Sequence, residues 1–505
     1  MKIRCSTLIA AGAAIVLTLG LAQADPVLAA TKGKGKVTTM HDTAVSTLKY
    51  SPTVKSFQEY RQAAEHDLHR SRSGWFPRID ARAGFGIEQW SDANTRNASY
   101  RQDRRDYYSR SEASITVSQT IWDGFDTRSR VNMSQHRLDS AVSRLYDNAE
   151  GLVLDALLAH IDVYRQRRII ALAELNVKNH KAILDSQNER YTSGASTLAD
   201  VTQTQSRLAR TEASLAESKA ALEVALSAYK RYTGKVPGEL EPPMVPKGSY
   251  ATLEKALYST QTRNPKIKAS SSDVKTAESQ VDLDKAPFHP NIYLEAGPTY
   301  NYRVGSAMDD QGGMVVMLRA NWNLLNGGYD WFNVKGDKAR ARQSRQELEA
   351  LKDSLTEETE NTWSEYLSAQ DLSNHYAKSV DYSTKTRDMY LEQFNVGQRS
   401  LLDVLDSENE LFSSSIQLVT AQLNILAAQY RLKALGGELI GSFGLDRGEL
   451  NIKTDDKESI GTALGRWPDN SSQPTPRGLD FPKNYDPASR HANFPTPKEI
   501  VHKDK

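Results

Sequence analysis

The sequence predicts an α+β chain, mainly α, built as two copies of one unit that joins a long helical hairpin to two β-strands. Three observations carry this: landmark residues recur at constant offsets, four segments alternate apolar and polar residues, and heptad-patterned stretches fold back at Gly-containing turns. With 505 residues, 39% hydrophobic and 25% charged, the chain can fill several cores, and its composition excludes wholesale disorder.

The N-terminus comes first. Lys2 and Arg4 precede an apolar run from Leu8 to Leu21, and Ala22-Gln23-Ala24 supplies the small-x-small cleavage pattern of a secretory signal peptide over residues 1–24. The mature chain is expected to begin near Asp25, with Ala29 or Ala30 as a second choice. Cys5 is the single cysteine and falls in the removed segment, so the mature chain has no disulfide, no thiol chemistry and no lipid-bearing N-terminal cysteine. No second run of roughly 18 apolar residues is expected after the signal, so a membrane crossing would have to use β-strands.

The repeat sets the organisation. Tyr50-Ser51-Pro52 and Trp75-Phe76-Pro77 recur as Asn264-Pro265 and Phe288-His289-Pro290 at an offset of 213, whereas Ile121-Trp122-Asp123-Gly124 matches Leu324-Leu325-Asn326-Gly327 at 203. The copies therefore differ by ten residues, lost where a surface loop tolerates it. The first repeat is assigned to residues 25–245 and the second to 246–445, followed by a polar tail, 446–505, with seven prolines after residue 466. A Pro-rich linker from Tyr232 to Lys247 separates the repeats.

In the first repeat, residues 78–90 place Ile79, Ala81, Ala83, Phe85 and Ile87 on one face against Arg78, Asp80, Arg82 and Glu88, which is a strand with one apolar side. A polar loop is expected over 91–110, then a second strand carrying Ala113, Ile115, Val117 and Ile121. In the second repeat, Ile292, Leu294, Ala296 and Tyr300 form the third strand's apolar face, and Met314, Val316, Leu318, Ala320, Trp322 and Leu324 the fourth's. Asp309-Asp310-Gln311-Gly312-Gly313 between them is expected to be a hairpin turn rather than a calcium loop. Strands of this length suit a membrane barrel, which needs about 9 to 11 residues each. The other reading is a four-stranded sheet packed on helices in a soluble domain.

The helices favour the first reading. From Leu138 the apolar positions run Val142, Leu145, Leu152, Ala156, Ala159 and Val163 with Ala149 between, a heptad seam. Residues 126–190 contain no proline and one isolated glycine, Gly151, so an uninterrupted helix on the order of 100 Å is expected. The return arms carry Leu208, Leu215, Leu222 and Tyr229, matched by Leu411, Leu418, Ile425 and Leu432. Between the arms, Gly194 and Gly397 suit the left-handed residue that ends a helix. Thr197 with Asp200, and Ser400 with Asp403, then read as N-caps with an acid at the third helical position.

These turns, YTSGASTLADV and FNVGQRSLLDVLD, together with the strand pairs, the heptad hairpins and the repeat, resemble the TolC family of outer-membrane exit ducts over roughly residues 40–440. The resemblance implies a homotrimer in outer-membrane lipid, with a 12-stranded β-barrel, four strands per protomer, above a periplasmic α-barrel. Barrels start at about eight strands, which independently requires several chains. The resemblance places Asp403 and Asp406 in acidic rings at the periplasmic aperture, Arg399 in the closing link, Asp200 opposite it, and Phe394 where the family's best-known member has a tyrosine. It also implies docking of a periplasmic adaptor at the tips, at Gly194, Val396, Gly397, Leu401 and Leu402. The local alternative for these is a helical turn with its hydrophobic cap contact.

A net charge of +1 argues against nucleic acid. No P-loop, H-E-x-x-H, G-x-S-x-G or paired-cysteine motif is present, and His66 and His69 read as helix surface, so neither catalytic residues nor a cofactor or metal are expected. The expected function is the exit duct of a type I secretion system, with an adaptor and an inner-membrane ABC transporter. The Thr120-Ile121-Trp122-Asp123-Gly124-Phe125 approach to the long helix and the missing lipidated cysteine resemble secretion members. Drug efflux with a proton-driven pump is the alternative, and a secreted coiled-coil structural protein or adhesin is the alternative of another class.

Overall fold

The computed structural model describes residues 37–89, 107–304 and 310–445; the expected signal segment, most of the first polar loop and the tail lie outside the described residues. Helix α1 (Met40–Tyr50) starts at a reciprocal Thr39–Asp42 capping box, and α2 (Pro52–Arg72) starts with Pro52 at its first position and Ser51 as cap. A 3-10 turn, Ser73–Trp75, leads into β1 (Arg78–Glu88) and β2 (Tyr108–Trp122). The first hairpin is α3 (Asp126–Thr192) with α4 (Leu198–Thr233). The second repeat follows as α5 (Leu253–Arg263), α6 (Pro265–Leu283), a 3-10 turn Ala286–Phe288, β3 (Asn291–Tyr302) and β4 (Asp310–Asn321). It ends with the hairpin α7 (Tyr329–Asn395) and α8 (Leu401–Leu435), then a short α9 (Leu439–Ser442).

Both offsets hold at the level of helix ends. Adding 213 to the bounds of α1 gives those of α5, and adding 203 to the bounds of α3 gives those of α7; α3 and α7 are each 67 residues long, about 100 Å. The change of offset falls between the strands, as expected for a loop.

The strands form one antiparallel sheet in the order β1-β2-β3-β4. Directly opposed residues share a face, so Ile79, Val117, Ala296 and Val316 make one apolar row across all four strands. Ile79, Phe85, Ile87, Met314, Val316 and Leu318 on this face are exposed. The other face carries ion pairs: Arg110 with Glu88 (3.1 Å) and Glu112 (2.6 Å), and Arg319 with Glu295. Among the described residues no helix is layered on either face, which overturns the soluble sheet-on-helix reading. Among the described residues the outer edges of β1 and β4 are unpaired.

Strand boundaries differ from expectation at three places. Trp322 and Leu324, expected on the fourth strand's apolar face, lie beyond the end of β4 at Asn321. Asp310 to Gly313 are the first residues of β4, paired with Tyr302 to Thr299 rather than forming the turn, and Tyr108 to Arg110 belong to β2. Ladder pairing extends past the apolar pattern because backbone hydrogen bonds do not require apolar side chains.

Helix α3 is the hub, in contact with α1, α2, α4, α6 and α8. Leu138, Leu145, Ala149, Ala156, Ala159 and Val163 of the seam are buried, and Val142 and Leu152 are half-buried. Val153, Leu157 and Ile161, outside the seam, are also buried, against Met40, Ala44, Leu48, Leu423, Ala427 and Tyr430. A heptad stripe describes one partner, and α3 has several, so its burial is wider.

Helix α8 corrects another expectation. It is long and apolar enough to qualify as a membrane span, with mean hydropathy 1.3 over 18 residues. Residues 411–428 hold no charged side chain; Ser, Gln, Thr and Asn break up the apolar run. The helix runs along α7 as a hairpin arm, with Ser414 bonded to Ser379 (3.0 Å) and Asn424 accepting from Arg165 of α3 (3.1 Å).

Candidate functional site

The two hairpin tips have the same backbone. In the first, the Ala195 amide donates to the Arg190 carbonyl (2.7 Å) and the Gly194 amide to the Tyr191 carbonyl (3.0 Å); in the second, Gln398 donates to Gln393 (2.8 Å) and Gly397 to Phe394 (3.1 Å). This is the Schellman pair, and it places Gly194 at φ 78° and Gly397 at φ 81°. A Cβ at either glycine would meet nothing within 4 Å, so the left-handed conformation, and not crowding, requires glycine there.

Side chains then distinguish the tips. Thr197 and Asp200 form a full capping box: the Asp200 amide donates to Thr197 Oγ1 (3.3 Å), and Asp200 Oδ2 accepts from the Thr197 amide (3.2 Å), the Thr197 hydroxyl (2.8 Å) and the Ser196 hydroxyl (3.3 Å). The Thr197 hydroxyl and amide hold the Asp200 carboxyl below the usual carboxylate range. At the second tip the expected box is half made. The Asp403 amide donates to Ser400 (3.3 Å), but the carboxylate turns to Arg399 (3.5 Å), which also reaches Gln393 (3.0 Å) and lies 4.3 Å over the Tyr390 ring.

Phe394 and Leu401 are buried together with Val404 and Leu405, flanked by Ile183, Tyr390 and Leu391. Leu401 is therefore the cap contact and is not available at the surface, whereas Val396 and Leu402 are exposed. The Arg190 guanidinium sits 4.2 Å over the Phe394 ring and donates to the Phe394 carbonyl (3.3 Å), which ties the end of α3 to the end of α7. Asp406, mostly exposed, pairs with Arg207 of α4 (3.1 Å). Glu408 is buried and accepts from Asn179 of α3 (3.3 Å) and Arg387 of α7 (3.1 Å).

Of the residues singled out in the sequence, the structure joins Arg399 to Asp403 and brings Phe394 and Leu401 into one cluster. Asp200 and Arg399 are each held within their own hairpin in a single copy. Arg190, Arg207, Asn179 and Glu408 escaped sequence reasoning, because a contact between hairpins about 200 residues apart leaves no local spacing.

The family model described as "Outer membrane efflux protein" matches residues 44–235 and 256–438, one match in each repeat. The chain belongs to the outer membrane efflux protein family. Outer membrane efflux protein BepC of Brucella suis is 25% identical over 335 residues, covering 66% of this chain and 74% of BepC. Alkaline protease secretion protein AprF of Pseudomonas aeruginosa is 21% identical over 410 residues, covering 78% of this chain and 83% of AprF. Among solved structures, the outer membrane protein VceC of Vibrio cholerae superposes with a TM-score of 0.66 at 16% identity, covering 81% of this chain and 97% of VceC.

As a member of this TolC family, the chain is an outer-membrane efflux or secretion channel, a transport duct and not an enzyme, with its long helices in the periplasm. Channels of the family act with periplasmic adaptors and inner-membrane transporters.

Proposed function

We propose that three copies of this chain close into the exit duct of a type I secretion system, which receives unfolded protein from an adaptor and an ABC transporter and releases it outside. The observation that carries the closed ring is the unfinished internal symmetry. Gly124, at φ 65°, packs so tightly on the second repeat that a Cβ would lie 2.7 Å from the Ala286 carbonyl oxygen, whereas its counterpart Gly327 meets nothing within 4 Å. The contact made inside the chain lacks its repeat on the far side, just as β4 lacks the neighbour that β2 has in β3. A head-to-tail ring supplies both. Four strands per copy make twelve in three, and the apolar face turns to lipid while the ion-paired face lines the lumen. Only 28% of the apolar window of α8 is buried in one copy, leaving surface for its neighbours to cover.

The tips act as the gate. Asp200, Phe394, Arg399, Asp403 and Asp406 form the aperture, and Val396 and Leu402, held out by the Gly194 and Gly397 turns, meet the adaptor. Arg207–Asp406, which joins the two hairpins, is a partly exposed pair worth roughly 0–1 kcal/mol, so threefold repetition holds the aperture shut reversibly. Opening then needs only a partner that binds the open state more tightly. The Asp403→Asn/Asp406→Asn double variant is expected to change the cation sensitivity of conductance in planar bilayers; unchanged sensitivity removes both from the pore.

Likeness to AprF, whose name records protease secretion, supports protein cargo, and likeness to BepC supports the efflux reading. Deleting the gene separates them. Loss of a protein from the culture medium with unaltered tolerance of small toxic compounds is the secretion result; the reverse pattern assigns efflux.

A further inference from the structure

The two repeats place a side-chain pair at the same point, where the short helix leading to the strands lies against the long helix leaving them. In the first repeat the pair is Ser71, on α2, and Ser134, on α3, whose hydroxyl oxygens are 2.7 Å apart in a hydrogen bond. Adding 213 to 71 and 203 to 134 gives Asp284, the C-cap of α6, and Asp337, on α7. Both aspartates are buried, at 8% and 6% exposure. Gln280 donates to Asp284 Oδ1 (2.9 Å), and Arg340 holds Asp337 Oδ1. Asp284 Oδ2 is buried with no hydrogen-bond partner. A hydroxyl pair brings its own donor, but two carboxylates bring none.

We propose that Asp284 and Asp337 share one proton, making a pH-sensitive clasp between α6 and α7 in the second repeat where the first repeat has a pH-independent one.

The charges around the pair fix where the proton sits. Arg340, on α7, faces Asp337 and keeps it ionised, while Gln280, on α6 itself, is neutral. Lys285, next to Asp284, is committed to Asp282, and on α3, the other long helix packed against α6, Arg130 is committed to Asp126. Burial, then contact with Asp337, pushes the Asp284 carboxyl up to about 6, while contact with Asp284 and Arg340 draws Asp337 down. The proton belongs on Asp284, whose O–H donates to Asp337. Because the folded-state value is raised, the clasp is fully made below the ordinary carboxylate range and is lost as pH rises through about 6. The pair lies eight residues into α7, roughly 12 Å below the strands. It therefore stiffens the collar beneath the sheet when the periplasm acidifies, and only in alternate units around the ring.

Hydrogen–deuterium exchange of the full-length assembled protein tests this, with peptides spanning 279–288 and 333–341 compared at pH 5 and pH 8 after correction for the intrinsic exchange rate. Opening is expected to be about tenfold slower at pH 5. Peptides around Ser71 and Ser134 are the internal control and should not respond. Asp284→Asn keeps a donor facing Asp337 and should be protected equally at both pH values. The double variant Asp284→Ser/Asp337→Ser, which rebuilds the first repeat's pair, should likewise lose the dependence. Flat wild-type protection overturns the proposal, as does pH dependence that survives Asp284→Asn. So does protection at pH 8 that appears with a divalent cation and vanishes with a chelator, which would make the pair a cation site.

Discussion

The first and second repeats share helix bounds and strand faces but differ in what their side chains do. Both tips close with the same Schellman bonds around a left-handed glycine. At the first tip Asp200 is consumed by its own cap; at the second Asp403 leaves the box and faces Arg399. Beneath the strands, Ser71–Ser134 becomes Asp284–Asp337. Backbone that both copies keep is scaffold; at the tips the same aspartate is used in two ways, and beneath the strands a hydroxyl pair has become a carboxylate pair.

The sharpest way to break this comparison uses a glycine pair in the sheet. Gly84 and Gly297 are equivalent, yet a Cβ on Gly297 would lie 1.8 Å from the Ile115 carbonyl oxygen, while one on Gly84 would meet only the flexible Glu112 side chain at 3.0 Å. Gly297→Ala must push β2 and β3 apart and is expected to cost about 3 kcal/mol or more. Assembled, heat-resistant oligomer on a gel should fall severalfold. Gly84→Ala leaves the strands within one copy undisturbed, because Glu112 can swing aside. In a ring that continues the internal symmetry, however, its methyl meets the Leu318 carbonyl oxygen of the next copy, so oligomer is lost while the single chain keeps its fold. Wild-type oligomer from Gly84→Ala would mean that the seam between copies does not repeat the contact of β2 with β3.

A smaller effect sharpens the same comparison at the tips. Thr197→Ala removes one partner of a reciprocal box and Ser400→Ala one of a single bond, so costs of about 1 kcal/mol and about 0.5 kcal/mol are expected. Exchange of the Asp200 and Asp403 amides would check the order, and a larger effect at Ser400 would contradict it.

Much of this architecture was legible in the sequence. Offsets of 213 and 203 fixed both copies of the long helix because its length depends on local features: no proline, a glycine at the end, a hydroxyl cap at the restart. The strand faces were legible because alternation is a local signal. The start of β4 at Asp310 was not, since Asp-Gln-Gly-Gly reads as turn although the ladder runs through it. The uncharged stretch of α8 was hidden by its interspersed Ser, Gln, Thr and Asn. Within the candidate site, the glycines and caps could be read, but Arg190 over Phe394 and Arg207 with Asp406 could not. Each joins hairpins whose approach is set by the tertiary fold. Asp284 and Asp337 carry no local sequence signal, because their burial comes from the packing of α6 on α7.

The ring itself is open to one direct test. If internal symmetry continues between copies, the pairing of Val117 with Ala296 recurs as Ala320 of one copy opposite Ala83 of the next. Opposed residues in an antiparallel ladder have Cα atoms about 4.5–5.5 Å apart, within the range a disulfide spans. In the chain carrying Ala83→Cys and Ala320→Cys, oxidation in the outer membrane should give a covalent species of three chains on a non-reducing gel, while each single variant stays uncrosslinked. A doubly substituted chain that remains monomeric under oxidation would contradict the closed ring.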